Sequence, residues 1–240
     1  MTTALQAIVL DFDGVIADSE PLHLRAFQRT LDAEGLPLTA DEYYARYLGY
    51  DDVGLFRTLA RDRGLDVPDA RIDALVARKA DALQQLLQGG DVVFPGAASF
   101  IHAAAAAVPL AIASGALRHE IEAILEAADL ARCFSVIVAA GETPESKPSP
   151  APYVLALERL RGRAGRDLDP RRSVAIEDSR WGLESAQGAG LRCVGVTTSY
   201  PREALPGAEL VVGGLRDLDV PALDRLVASG VSGKRHPHHA

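Results

Sequence analysis

Ala7-Ile8-Val9-Leu10-Asp11-Phe12-Asp13-Gly14-Val15 is the stretch that decides the fold of this chain. An apolar run that stops at two carboxylates spaced i, i+2 reads as a buried strand ending in two acids on one face, because strand side chains alternate with period two. Gly14 then lets the backbone turn away sharply. Two carboxylates held that close repel, so the pair needs a proton, a cation or both. The strand end is therefore a candidate reaction centre.

Further short apolar runs follow, each ending at a polar or small residue: Pro109–Ala113 before Ser114, Val136–Ala140, Ser173–Ile176 before Glu177, Cys193–Val196 before Thr197, and Leu210–Val212. Between them Ala97–Ala107, Glu120–Ala128, Ala151–Leu160 and Trp181–Ala189 have helical character. Strands alternating with helices of this length predict an α/β fold, a parallel sheet with helices on both faces. Such sheets bind ligands beyond the carboxyl ends of their strands, where Asp11, Ser114 and Glu177-Asp178 all fall.

One region breaks the alternation. From about Pro21 to Gln88, apolar residues recur at helical spacing (Leu22, Ala26, Phe27, Leu31; Ile72, Leu75, Val76, Ala80). Breakers at Gly35-Leu36-Pro37, Gly49, Gly64 and Pro68 cut it into about four helices. Residues 18–89 are therefore expected to form an α-helical insertion that acts as a lid over the strand ends. Residues 1–17 and 90–230 are expected to form the core. Gly89-Gly90 and Pro95-Gly96 mark the return to it, and residues 231–240, with three of the chain's histidines, read as a frayed tail.

Composition bounds the function. The chain has 240 residues, 48% hydrophobic and 24% charged, enough for a full α/β core and unlike a disordered or fibrous protein. A formal net charge of −8 argues against nucleic acid as partner but not against a small anion in a cleft. Cys133 and Cys193 match no metal-ligand spacing and read as reduced, buried thiols. No signal peptide or membrane span is read, so the expected location is the cytoplasm. The expected assembly is a monomer or weak homodimer.

Four elements are expected at one sheet edge: Asp11 and Asp13; Ser114-Gly115, offering a hydroxyl and backbone N–H groups at a helix start for a phosphate oxygen; Lys147-Pro148, whose ammonium can neutralise anionic oxygens; and Glu177-Asp178-Ser179. A lone Asp-x-Asp is more often a solvated strand end than a catalytic pair. Four such elements in order, each behind a strand, reverse that judgement. So many acids call for a cation, and hard oxygen ligands select Mg²⁺. Asp11 could then attack a phosphate to give an aspartyl-phosphate, with Asp13 protonating the leaving oxygen and later deprotonating water.

These four motifs, quoted above, resemble those of the haloacid dehalogenase superfamily, from Ala7 to about Val212. The nearest likeness is to its β-phosphoglucomutase-like branch, with Asp18-Ser19-Glu20-Pro21-Leu22-His23 as the cap entry. The resemblance implies a Rossmann-like core with an α-helical cap, Asp11 as nucleophile and Asp13 as general acid/base. It implies Mg²⁺ held by Asp11, the Asp13 carbonyl and Asp178 with Glu177 close by, and Ser114, Gly115 and Lys147 gripping the phosphoryl group. His23 and Lys79 sit at positions the branch uses for proton control and substrate contact, though each also reads as an ordinary helix-surface residue.

The expected activity is a Mg²⁺-dependent phosphatase of a small phosphorylated metabolite, of sugar or polyol phosphate class. Mutases of the branch carry a cap arginine in a Gly-x-Ser-Arg context. Here Gly49-Tyr50-Asp51-Asp52 stands instead, and two acids should repel a second phosphate. A sugar-phosphate mutase is the first alternative and a non-catalytic ligand-binding relative the second. Ala151-Pro152 replaces a helix-capping aspartate of the family, which bears on folding. Trp181 reads as packing between helix and sheet rather than as a substrate platform.

Overall fold

The computed structural model describes residues 4–48, 50–87 and 92–231. The chain divides into two compact units, Met1–Asp18 with Asp91–Ala240, and Ser19–Gly90. The expectations for Gly49, for Gly89-Gly90 and for the tail beyond Val231 lie outside the described residues.

In the first unit β1 (Ala7–Leu10), β2 (Leu110–Ala113), β3 (Phe134–Val138), β4 (Ser173–Glu177), β5 (Arg192–Val196) and β6 (Leu210–Val212) make one sheet in the order β3-β2-β1-β4-β5-β6. Every neighbouring pair is parallel. Parallel neighbours need crossovers, supplied here by α5 (Ala97–Ala107), α6 (Arg118–Ala127), α7 (Ala151–Ala164) and α8 (Arg180–Gly188), while α9 (Val220–Val231) follows the last strand. On one face Ala7, Val9, Ala111, Ala113, Ala175 and Cys193 pack under Tyr153, Leu157 and Leu160 of α7 and Leu183 of α8. Small side chains there let the Tyr153 ring come down onto the sheet. The alternate residues Ile8, Leu10, Ile112 and Ile176 are equally buried. Burial on both faces explains why these strands read as unbroken apolar runs.

Strand β3 closes one edge of the sheet. Arg118 and Arg159 both donate to the Ile137 carbonyl, at 2.8 and 3.3 Å, which occupies an acceptor that an exposed edge would otherwise offer to another chain. Cys193 is buried as expected, but Cys133 is only half-buried, with its sulfur 3.4 Å from Nδ1 of His102.

The second unit holds α1 (Glu20–Asp32), α2 (Ala40–Glu42) running into a π-helical turn over Tyr43–Tyr47, α3 (Asp52–Asp62) and α4 (Asp69–Leu87). Phe27, Leu31, Leu55, Phe56, Leu59 and Ile72 form its core, with the Phe27 and Phe56 rings edge to face at 5.4 Å. Thr39 and Asp51 cap α2 and α3 by accepting from the amides of Glu42 and Gly54.

Shortening Ile8, buried on the central strand, leaves a cavity with little freedom to collapse. Ile8→Ala is expected to cost roughly 2–5 kcal/mol in a urea titration.

Candidate active site

Strand order reverses direction at β1. The chain runs outward through β2 and β3, then returns to place β4 on the other side of β1. That switch point opens a crevice at the strand ends, and β1 and β4 end there in Asp11 and in Glu177-Asp178. Asp11 is 9% exposed, and its Oδ1 accepts from the Phe12 amide at 2.8 Å. Gly14 has φ +76°, and a Cβ there would lie 2.0 Å from Oδ2 of Asp178. Both the left-handed turn and the close approach of the second acid exclude any side chain. Asp13 is half-buried beside this turn, its backbone paired with Ala17.

Lys147 reaches the same point from the loop after β3. Its Nζ lies 2.9 Å from Oδ1 of Asp11 and 2.6 Å from Oε1 of Glu177, and 5.3 Å from the centre of the Tyr153 ring. Burial alone would lower the lysine pKa, but the charges of Asp11 and Glu177 outweigh it and hold the ammonium protonated above its ordinary range.

Glu177 is fully buried. Its Oε1 also accepts the Tyr153 hydroxyl at 2.7 Å. Its Oε2 accepts the Asp178 and Ser179 amides at 3.2 and 3.4 Å and the Ser179 hydroxyl at 3.2 Å. Burial and the neighbouring Asp11 charge push its pKa up to about 7, against the pull of Lys147. The carboxylate rests on the first turn of α8, where a Cβ on Gly182 would lie 1.9 Å from it. Tyr153 and Gly182 escaped the sequence reading. The spacing of Gly182 behind the Glu177 motif was the one available signal, and nothing in the sequence aligned Tyr153 with the end of the following strand.

One oxygen from each of Asp11, Glu177 and Asp178 lies within 4.8 Å of the others. Burial, then the Asp11 charge, raises Asp178 to about 6, while the Ser199 hydroxyl works the other way. Both Glu177 oxygens already serve protein donors, so Asp11 and Asp178 are the acids best able to offer oxygen to a cation. A crowded, buried, all-oxygen set of this kind suits a hard divalent cation.

Ser114, Gly115, Gly141, Thr143, Ser146 and Lys147 line a cavity of about 250 Å³. The three residues expected to hold phosphate thus share one hollow. The expected helix start is corrected, however. Helix α6 begins only at Arg118, the Ser114 amide is bonded to the Val138 carbonyl, and the Ala116 amide donates to the Ser114 hydroxyl. A tight turn after β2, not a helix N-terminus, presents this hydroxyl.

His23 and Lys79 meet each other inside the helical unit. Lys79, 2% exposed, puts Nζ 3.0 Å from Nδ1 of His23, 2.8 Å from Oδ1 of Asp52 and 4.8 Å from the centre of the Phe27 ring. Neither reads as a helix-surface residue any longer. Burial, then the Lys79 charge, lowers His23 to about 4, so the imidazole is neutral near pH 7 and accepts on Nδ1. The expected acidic pair is also revised. Asp52 is neutralised by Lys79, and Asp51 is spent capping α3. Trp181 is a further correction: it is 46% exposed, not packed between helix and sheet.

The model of the haloacid dehalogenase-like hydrolases matches residues 5–190. The chain belongs to this family. It is 34% identical over 232 residues to Protein CbbY of Cereibacter sphaeroides, covering 91% of this chain and 98% of that one. It is 30% identical over 199 residues to the phosphorylated carbohydrates phosphatase of Thermotoga maritima, covering 81% and 87%. Among solved structures, CbbY from Rhodobacter sphaeroides in complex with xylulose-(1,5)bisphosphate superimposes with a TM-score of 0.74 at 32% identity, over 92% of this chain and 99% of that one. This hydrolase family generally uses a divalent metal, and the Asp11–Glu177–Asp178 cluster fits one. No helix among the described residues is long and apolar enough to cross a membrane.

Two outcomes follow from this geometry. The raised pKa of Asp178 means that the metal-free fold gains stability from its proton below the unfolded value and loses it as pH rises through about 6. A divalent cation held by these acids would take the proton's place above that. Millimolar Mg²⁺ is therefore expected to raise the melting temperature clearly at about pH 8 and hardly at about pH 5, and Asp178→Asn should erase the difference. Gly182→Ala should push Glu177 off its seat and shift Lys147 with it. Activity is expected to fall by roughly 10²-fold, because ångström-scale misplacement of reacting groups costs that much. A phosphate-release assay with a parallel melting curve checks it.

Proposed function

We propose that this hydrolase is a Mg²⁺-dependent phosphatase of a small phosphorylated sugar or polyol, acting through an aspartyl-phosphate on Asp11. One observation carries the reading: the Lys147 ammonium lies 2.9 Å from Asp11 and also lines the hollow that holds Ser114 and Gly115. An anion in that hollow meets a cation and a hydroxyl with a carboxylate oxygen beside it. The phosphatase name of the Thermotoga maritima relative supports the same chemistry. Mg²⁺, held by Asp11, the Asp13 carbonyl and Asp178, would supply the positive charge that lets a phosphate dianion approach the acids.

In this mechanism Asp11 attacks phosphorus and displaces the ester oxygen, which takes its proton from Asp13. Asp13, now ionised, removes a proton from water as that water attacks the acyl-phosphate, releasing phosphate and restoring Asp11. Ser114 and Gly115 hold phosphoryl oxygens, and Glu177 fixes Lys147 from behind. The helical unit is inserted in the chain between Asp18 and Asp91, and we assign it the role of a cap that excludes water. A cytoplasmic location agrees with two unpaired cysteines.

The Lys79–Asp52 pair halves the charge on which the exclusion of bisphosphates rested, and the complex of the related CbbY makes one worth including. Phosphate release from ribose 5-phosphate, glycerol 3-phosphate, phosphoglycolate and xylulose 1,5-bisphosphate with Mg²⁺ tests the proposal. Turnover of at least one is expected, and Asp11→Asn should abolish it. No release from any would sink the reading. Isomerisation of a hexose 1-phosphate that depends on a bisphosphate primer would favour the mutase instead.

A further inference from the structure

Trp181, the chain's single tryptophan, and Tyr200 are 46% and 41% exposed. Their ring centroids lie 6.4 Å apart, edge to face at 73°. The guanidinium of Arg180 sits 5.5 Å from the centre of the Trp181 ring and is itself exposed. Exposed hydrophobic residues standing singly are ordinary, but two rings in contact beside a cation make one contiguous aromatic surface.

The anchoring of these rings links them to the reacting carboxylates. Trp181 stands in the first turn of α8, whose capping residue Ser179 bonds to Glu177 and to the Gly182 amide. Three residues separate Trp181 from Asp178, so their Cα atoms are at most about 11 Å apart. Tyr200 follows Ser199, whose hydroxyl bonds to Asp178, and Thr198, whose hydroxyl donates to the Gly14 carbonyl. Both rings are thus carried by segments, the first turn of α8 and the turn after β5, tied to the residues that surround Asp11, and all of them belong to one compact unit.

We propose that Arg180, Trp181 and Tyr200 form the subsite for the carbon skeleton of the substrate, the part that stays behind when the phosphoryl group is transferred. This rests on the phosphatase reading and deepens it. Aromatic faces pack against the C–H groups of a sugar or polyol, and the guanidinium donates to its hydroxyls or to a second anionic group. Inorganic phosphate has no carbon skeleton and gains nothing there. The subsite therefore separates polyhydroxylated phosphate esters from minimal acyl or inorganic phosphates.

Having one tryptophan makes the test direct. In Asp11→Asn protein with Mg²⁺, ribose 5-phosphate is expected to change the Trp181 emission, and inorganic phosphate at matched occupancy is not. With active protein, Trp181→Ala and Arg180→Ala should each lower the ratio of kcat/KM for the best sugar or polyol phosphate to that for acetyl phosphate by about five- to tenfold, mainly through KM. Trp181→Phe should restore most of it. If phosphate is released but neither variant moves the ratio, or if both ligands change the emission alike, the subsite is overturned and the phosphatase reading stands. Failure to release phosphate from any ester would instead remove the reading on which the subsite rests.

Discussion

The Lys147 ammonium, shared between Asp11 and Glu177, is the interaction on which the rest of the site depends. Three carboxylates at the end of two neighbouring buried strands would repel one another strongly. Two like charges 4 Å apart interact by about 4 kcal/mol at an effective dielectric near 20. One fixed cation between two of them converts part of that repulsion into attraction. It is worth having only because Glu177 spends its remaining lone pairs on Tyr153 and Ser179, since a buried ion pair without further hydrogen bonds hardly recovers its desolvation. Lys147 is thereby kept charged and in place before any substrate arrives.

That constraint reaches outward into the fold. Holding Glu177 against the start of α8 requires Gly182, and bringing Asp178 close to the β1 turn requires Gly14. The alanine-rich face of the sheet follows from the same requirement, because the Tyr153 ring must lie close to the strands for its hydroxyl to reach Glu177. Core packing and site chemistry are one problem here. A larger residue at Ala111 or Ala175 would lift α7 and loosen the Tyr153 hydrogen bond to Glu177, which holds Lys147.

The strands, the alternation and the four acid, serine and lysine elements were legible in the sequence, because buried parallel strands and motif spacing are local properties. Asp11, Lys147, Glu177 and Asp178 do meet, since strand order brings their strand ends to one edge. What was not legible depended on partners distant in the chain. Tyr153 looked like one more apolar residue of α7, and Ser114 looked like a helix start until the turn after β2 intervened. Lys79 looked like a surface charge because its neutralising acid, Asp52, and its hydrogen-bond partner, His23, come from other helices. Trp181 was assigned to the core on residue type alone, and residue type could not register that its turn points outward.

Lys79 and Lys147 show the same physics with different consequences. Each is an ammonium held by a carboxylate and set against an aromatic ring, Lys79 buried and Lys147 half-buried. Around Lys147 acids outnumber the cation, so the cluster keeps a negative excess that a divalent ion can satisfy. Around Lys79 a single acid balances the single cation, and the third partner, His23, is kept neutral by that same positive charge and by burial. The second cluster therefore carries no net charge with which to repel an anion. Charge counted along the chain at Asp51-Asp52 gives two acids, whereas charge counted in space leaves one, because Lys79 compensates Asp52 and Asp51 only caps α3. In the proposed subsite, selectivity among phosphate esters comes from the exposed aromatic rings of Trp181 and Tyr200 and the Arg180 guanidinium beside them.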